Sequence, residues 1–243
     1  MGNRLSGPRY EQGGRAVTLR EGAPGVRLEE HGLPMHGLLG GSLDWRVQAT
    51  ESSDEAARLV AELAFERPEL LESFPFPHRL TYTATLHPAA LRIEIALRAT
   101  ADMPVPVSFG FHPYLQLGGE RSALELTLPA RTHLALDERG LPTGAAEPQD
   151  AVSAPLGRRT FDDHYEVGED PVAFTARDAD RAVTVRFERG YPYAQVFAPP
   201  GQPFLCFEPM TATVSALTHP GACPLVEAYD AAFAVEVGST MGA

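Results

Sequence analysis

The chain has 243 residues, 44% hydrophobic and 21% charged, with a formal net charge of -12. That length and composition suit one soluble globular domain with a core of its own. An acidic surface repels phosphate backbones and anionic headgroups, which excludes nucleic acid and the membrane surface as expected partners.

The first residues read MGNRLSGPRY. They contain no apolar run of the signal-peptide kind, and Gly2 with Ser6 meets only a loose myristoylation pattern. Alternating apolar residues predict strands over 15–20, 45–49 and 57–65. PELLES at 68–73 predicts one helical turn opened by Pro68. Leu80, Tyr82, Ala84 and Leu86 then alternate with polar or small residues, and Leu91, Ile93, Ile95 and Leu97 do the same after a turn at His87-Pro88-Ala89-Ala90. This pattern predicts a long hairpin with one buried face. Further strands are expected at 123–128, 182–188, 193–197, 204–208 and 231–237. The Pro/Ala/Gly-rich stretch 139–158 is expected to be a surface excursion. Many short strands, little helix and 22 Gly with 22 Pro argue for an all-β sandwich or barrel, a single domain over 1–243.

Several chemistries are absent from the sequence. All 20 basic residues are Arg, so neither a Schiff-base lysine nor a Walker A loop is available. No run of 18 apolar residues suggests a membrane span. Cys206 and Cys223 form no CxxC pair, which fits reduced core residues of a cytoplasmic protein and not a zinc site. GxSxG, HExxH and GxGxxG are all missing. Acid–base chemistry by His and carboxylate remains.

Four segments carry such residues, three of them beside Gly or Pro. SFGFHPYLQL at 108–117 holds His112 among aromatics, a candidate proton donor. FLCFEPMTA at 204–212 places Glu208 after an apolar strand, where burial raises a carboxyl pKa and favours a base. HGLPMHG at 31–37 holds two histidines five residues apart, a spacing unlike a helical zinc pair. His36 is a candidate substrate-positioning group and His31 a loop residue. FDDHY at 161–165 offers Asp162, Asp163 and His164, for a cation, for hydroxyl groups of a ligand, or for a capping or solvated loop. On spacing alone each segment is equally compatible with a structural His or a solvated carboxylate.

Taken together and in order, these segments resemble the aldose 1-epimerase (galactose mutarotase) family. The resemblance runs through NRLSGPRY at 3–10, PMHGLL at 34–39 with Trp45 downstream, GFHPYL at 110–115, FDDHY at 161–165, and YPYAQVFAPPG leading to CFEPMTATVSAL at 191–217. It implies a large antiparallel β-sandwich of the galactose-mutarotase type and interconversion of the α and β anomers of an aldohexose such as galactose or glucose. By the same resemblance Glu208 matches the catalytic base and His112 the catalytic acid. His36 matches a second active-site histidine, Asp162 the carboxylate that holds sugar hydroxyls (with Asp163 as a competing alignment), and Arg4 an arginine lining the sugar site. No metal or cofactor is implied. The expected partner is a small-molecule aldose, and the expected assembly a monomer or homodimer. Phe111 and Tyr193 are candidate aromatic faces for the sugar. Many members carry Arg four residues after the HG histidine, where this chain has Gly40. Three alternatives stand beside this reading. They are a hexose-6-phosphate 1-epimerase using Arg158 and Arg159, a non-catalytic sugar-binding module on the same fold, and a glycosidase with paired carboxylates.

Overall fold

The computed structural model describes residues 4–42, 44–168 and 171–240. Gly2 of the myristoylation pattern and Asn3 of the NRL motif lie outside them. Two antiparallel sheets dominate. The large sheet runs edge to edge through Arg46–Ser52, Ala57–Phe65, His78–His87, Ala90–Ala99, Ala228–Ser239, Arg181–Arg189, Val172–Arg177, Glu125–Leu128 and Val152–Pro155. The small sheet runs through Pro142–Gln149, Arg131–Leu136, Phe161–Glu166, Tyr193–Ala198, Leu205–Met210 and Tyr114–Leu115. This is a large antiparallel β-sandwich, as the alternating pattern of the sequence predicts.

The predicted hairpin forms with two strands of ten residues each, His78–His87 and Ala90–Ala99. Ile93, Ile95 and Leu97 turn inward while Arg92, Glu94 and Arg98 keep the other face in water, as a period of two requires. The core lies between the sheets. Phe174 and Phe187 of the large sheet and Phe207 of the small sheet are at most 2% exposed, and the Phe174 ring lies 5.3 Å from Phe187 and 5.4 Å from Phe207. A second apolar cluster joins Tyr10 and Val17, of the Arg9–Gln12 and Arg15–Thr18 ribbon, to Phe76, Val105 and Val107. Pro68–Leu71 is the one helical turn expected.

Two stretches for which the sequence predicts no strand are strands in the structure. The stretch 139–158 is exposed but not irregular: it forms Pro142–Gln149 and Val152–Pro155, edge strands of the small and large sheets respectively. An edge strand pairs on one side only, so the missing N–H of Pro142, Pro148 and Pro155 is tolerated where weak strand propensity suggested a loop. FDDHY, for which the sequence predicts no strand, is likewise extended. It lies within Phe161–Glu166, an interior strand of the small sheet.

Candidate active site

Glu208 lies in Leu205–Met210, a strand in which every residue is buried. Leu205 and Phe207 point into the core between the sheets; Glu208, two residues from Cys206, points to the opposite face. The residue is only 6% exposed. Burial, followed by the nearby negative charge of Asp162, pushes its carboxyl up to about 8.

His112 arrives from an irregular stretch that is tied to the same strand. Phe111 N–H donates to Pro209 O (3.1 Å), Thr211 N–H to Phe109 O (2.9 Å), and Phe109 N–H to the Thr211 hydroxyl (2.8 Å). Gly110 forms an isolated bridge with Met210, and a Cβ there would collide with Met210 and the Pro209 carbonyl. Only glycine permits that approach, so GFHPY and EPMTA are two halves of one backbone structure. The result brings His112 Nε2 to 3.2 Å from Glu208 Oε1. The imidazole stacks on Tyr114 (4.5 Å, 9°) and meets Phe197 edge-on at 5.8 Å. Burial, then the neighbouring His36, lowers its pKa, and Asp162 opposes both. Cation-forming and anion-forming groups are thus both pushed toward neutrality, so near pH 7 the pair holds one proton between them.

Strand register places the two aspartates of FDDHY on opposite faces of the small sheet. Asp162 pairs with Phe197 and His164 with Gln195, while Gln195 pairs with Glu208. Asp162, His164, Gln195 and Glu208 therefore share one face. Gln195 Nε2 donates to Asp162 Oδ1 at 2.7 Å. Asp163 faces the other way and meets His133 Nε2 at 3.2 Å. A shift of one residue exchanges these faces, which is why the pair DD is ambiguous in the sequence.

His36 completes the cluster, its ring centroid 6.5 Å from that of His112 in an edge-on arrangement. Its backbone is left-handed (φ 68°), and Gly37 follows in the same region (φ 64°). A histidine held at positive φ is strained, a cost that recurs at functional sites. Arg4 is anchored through its backbone, Ser215 N–H donating to Arg4 O at 2.8 Å. Its guanidinium lies 3.8 Å from Glu29 and donates to Gly140 O at 3.4 Å. A Cβ at Gly140 would overlap that guanidinium. Arg4 thus stands at the border of the site, where its charge bears on His36.

The family model for aldose 1-epimerase matches residues 1–225. The chain belongs to the aldose 1-epimerase family. It is accordingly an isomerase acting on carbohydrates. Solved structures share its fold. A galactose mutarotase-like protein from Clostridium acetobutylicum is 15% identical, with a TM-score of 0.82 over 98% of this chain and 78% of that one. Galactose 1-epimerase from Lactobacillus acidophilus is 15% identical, with a TM-score of 0.76 and coverage of 98% and 78%. A GalM/aldose epimerase homologue from C. elegans is 15% identical, with a TM-score of 0.74 and coverage of 98% and 80%. No curated protein matches the chain in sequence.

Set in this epimerase family, three further features stand out. Gly40 stands where an arginine was expected from the resemblance, yet a guanidinium is there: Arg27 lies over Gly40, donates to its carbonyl, and helps to lower the pKa of His36, chiefly depressed by burial. Gln195 is a site residue that the sequence motifs do not single out, although a lone amide inside the apolar run YAQVF is the signal that marks it. Phe111 and Tyr193 pack on Phe233 (5.0 Å) and His164 (5.8 Å) respectively, so the rings beside His112 are Tyr114, 62% exposed, and Phe197.

A cavity of about 600 Å³ adjoins the site but is not the acid–base centre. Apolar side chains such as Trp45, Phe65 and Phe74 line it, and it reaches the site at His36, Gly110 and Phe111. His112, Cys206 and Glu208 present possible metal-ligand atoms within 4.8 Å of one another. Burial, then Glu208, pushes the Cys206 thiol up to about 12.

Proposed function

We propose that this protein is a mutarotase, interconverting the α and β anomers of an aldohexose such as galactose or glucose through Glu208 and His112. The observation that carries the reading is the 3.2 Å contact between His112 Nε2 and a buried Glu208, with Asp162 on the same face. Burial disfavours both charged forms, and Asp162 adds a charge that favours protonated His112. When the shared proton crosses to His112, the Glu208 carboxylate takes the proton of the C1 hydroxyl while His112 protonates the ring oxygen. The C1–O5 bond breaks to give the open-chain aldehyde. Rotation about C1–C2 presents the other carbonyl face, and reclosure returns both protons. Asp162 holds sugar hydroxyls, with His36 and Arg4 lining the other side. General acid–base steps of this kind give about 10²–10⁴-fold each, and no cofactor is needed.

Polarimetry tests this. Freshly dissolved α-D-galactose or α-D-glucose should approach its final rotation faster with the protein than without it, and the Glu208→Gln variant should lose the acceleration. An unaccelerated approach with folded protein overturns the reading. Glucose 6-phosphate in the same assay separates free from phosphorylated substrates. Arg159 engages backbone carbonyls at Ala154, Pro155 and Leu156, which favours the free sugar. A single domain over residues 1–243, acting in the cytoplasm as a monomer or homodimer, fits one sandwich whose described helices are all too short to cross a membrane.

A further inference from the structure

His164 is the one histidine of the shared face with no part in the proposed chemistry. It is fully buried, and its ring lies parallel to Tyr193 at 5.8 Å and 14°. Burial depresses its pKa to about 4, so the ring is neutral and carries one proton. Which nitrogen holds that proton is determined by its surroundings. Val214 N–H donates to Nε2 at 3.4 Å, and the Thr213 hydroxyl lies 3.1 Å from the same atom. A donor aimed at Nε2 requires a lone pair there, which places the proton on Nδ1.

Gln195 shows the complementary need. Its Nε2 donates to Asp162 Oδ1 at 2.7 Å, and an ionised carboxylate only accepts, so the amide cannot be turned the other way. Its Oε1 is buried and without a hydrogen-bond partner, as is Nδ1 of His164. The two residues are directly opposed across their strands, and the imidazole interacts with the Gln195 side chain there. A buried donor and a buried acceptor thus lie on neighbouring side chains of one sheet face, and leaving both unmet would be costly.

We propose that His164 is a positioning residue for Asp162: its Nδ1–H donates to Gln195 Oε1 and holds the Gln195 amide with its NH₂ turned to Asp162 Oδ1. The proposal rests on Asp162 being the sugar-binding carboxylate of the reading above. With Oδ1 oriented in this way, Oδ2 is aimed for a sugar hydroxyl. The same imidazole, through Nε2, secures Val214 in the loop after Glu208, next to Ser215, which anchors Arg4. One neutral ring thereby sets the spacing between the Asp162 strand and the loop that follows the catalytic base.

The test combines two readouts. In long-range ¹H–¹⁵N spectra of the wild-type protein, His164 should show the tautomer protonated at Nδ1, and its Nδ1 resonance should shift in Gln195→Met. Protonation at Nε2, or an Nδ1 resonance indifferent to Gln195→Met, overturns the proposal, whatever the protein catalyses. In mutarotation, His164→Leu should raise KM about tenfold, the effect expected for losing a hydrogen bond that orients a charged group, with kcat changed less. His164→Asn, which keeps a donor near the Nδ1 position, should recover most of that loss. In an Asp162→Asn background, His164→Leu should add little. A folded His164→Leu with wild-type KM, or losses fully additive with Asp162→Asn, overturns it as well. Absence of mutarotation in the wild type would instead refute the proposed activity, and the spectra would still decide the tautomer and its dependence on Gln195.

Discussion

Two carboxylates of the same kind, Glu94 and Glu208, show what separates the outer face of the large sheet from the site face of the small one. On the large sheet, Arg92 contacts both Glu94 (2.6 Å) and Glu188 (2.7 Å), Arg189 reaches Glu94 (3.1 Å), and Arg186 holds Glu236 (3.0 Å). These side chains are partly solvated. The hydrogen bond from Arg92 outweighs burial and holds Glu94 below the usual carboxylate range. Glu208 instead sits in a dry strand, its nearest charge-forming partner a histidine that is itself pushed toward neutrality, and its pKa rises to about 8. Paired surface charge is cheap and nearly inert. A buried carboxyl with no arginine beside it costs stability and yields a group that gains and loses a proton near neutral pH.

Substitutions at the two glutamates should therefore diverge most in rate. Glu208→Gln should lower kcat by about 100-fold or more, the scale of one general acid–base step, whereas Glu94→Gln should leave mutarotation unchanged; polarimetry on both reads the contrast. The next effect sharpens the boundary of the site face. Asp162→Asn should raise KM about tenfold through loss of a charge-assisted hydrogen bond, while Asp163→Asn, on the opposite face with His133, should keep KM within about twofold. Equal effects at 162 and 163 would mean that strand register does not select the carboxylate.

Smaller effects concern pH and stability. The pair needs its single proton, so kcat/KM should fall as pH rises through about 8, where Glu208 loses it; a profile flat to pH 10 would deny the raised pKa. The linked effect on stability has a definite sign. The folded carboxyl keeps its proton above the unfolded value of 4.5, so the folded state binds more protons and stability declines from about pH 4.5 to about pH 8. Glu208→Gln removes that decline, and thermal melts should show it more stable than wild type at pH 9, with the advantage shrinking at pH 5. Glu94→Gln should cost no more than about 1 kcal/mol, and less in high salt, because exposed ion pairs are weak and screened.

Much of the architecture is legible in the residues. The hairpin around Pro88-Ala89 follows from strict alternation, and 57–65 and 193–197 match the observed strands within a residue at each end. Signals fail where local chemistry and sheet context disagree. Pro142–Gln149 has residues that disfavour strands, yet an edge position needs only one ladder of hydrogen bonds. Phe161–Glu166 resembles a polar loop because a strand facing a site carries Asp and His where a core strand carries Val. Gln195 escapes notice because a single amide among apolar residues has meaning only once Asp162 and Glu208 are known to flank it.

The sequence by itself determined an antiparallel β protein and the His and carboxylate side chains on which the proposed acid–base chemistry rests, because periodicity, composition and short motifs are local properties. The tertiary structure alone decided that His112 and Glu208 stand 3.2 Å apart, that Asp162 and not Asp163 shares their face, and that Arg27 supplies a guanidinium over Gly40. Each of these depends on strand register and on contact between segments distant in the chain. Cross-strand pairing and burial, which set both distance and pKa, exist only once the sheets have packed.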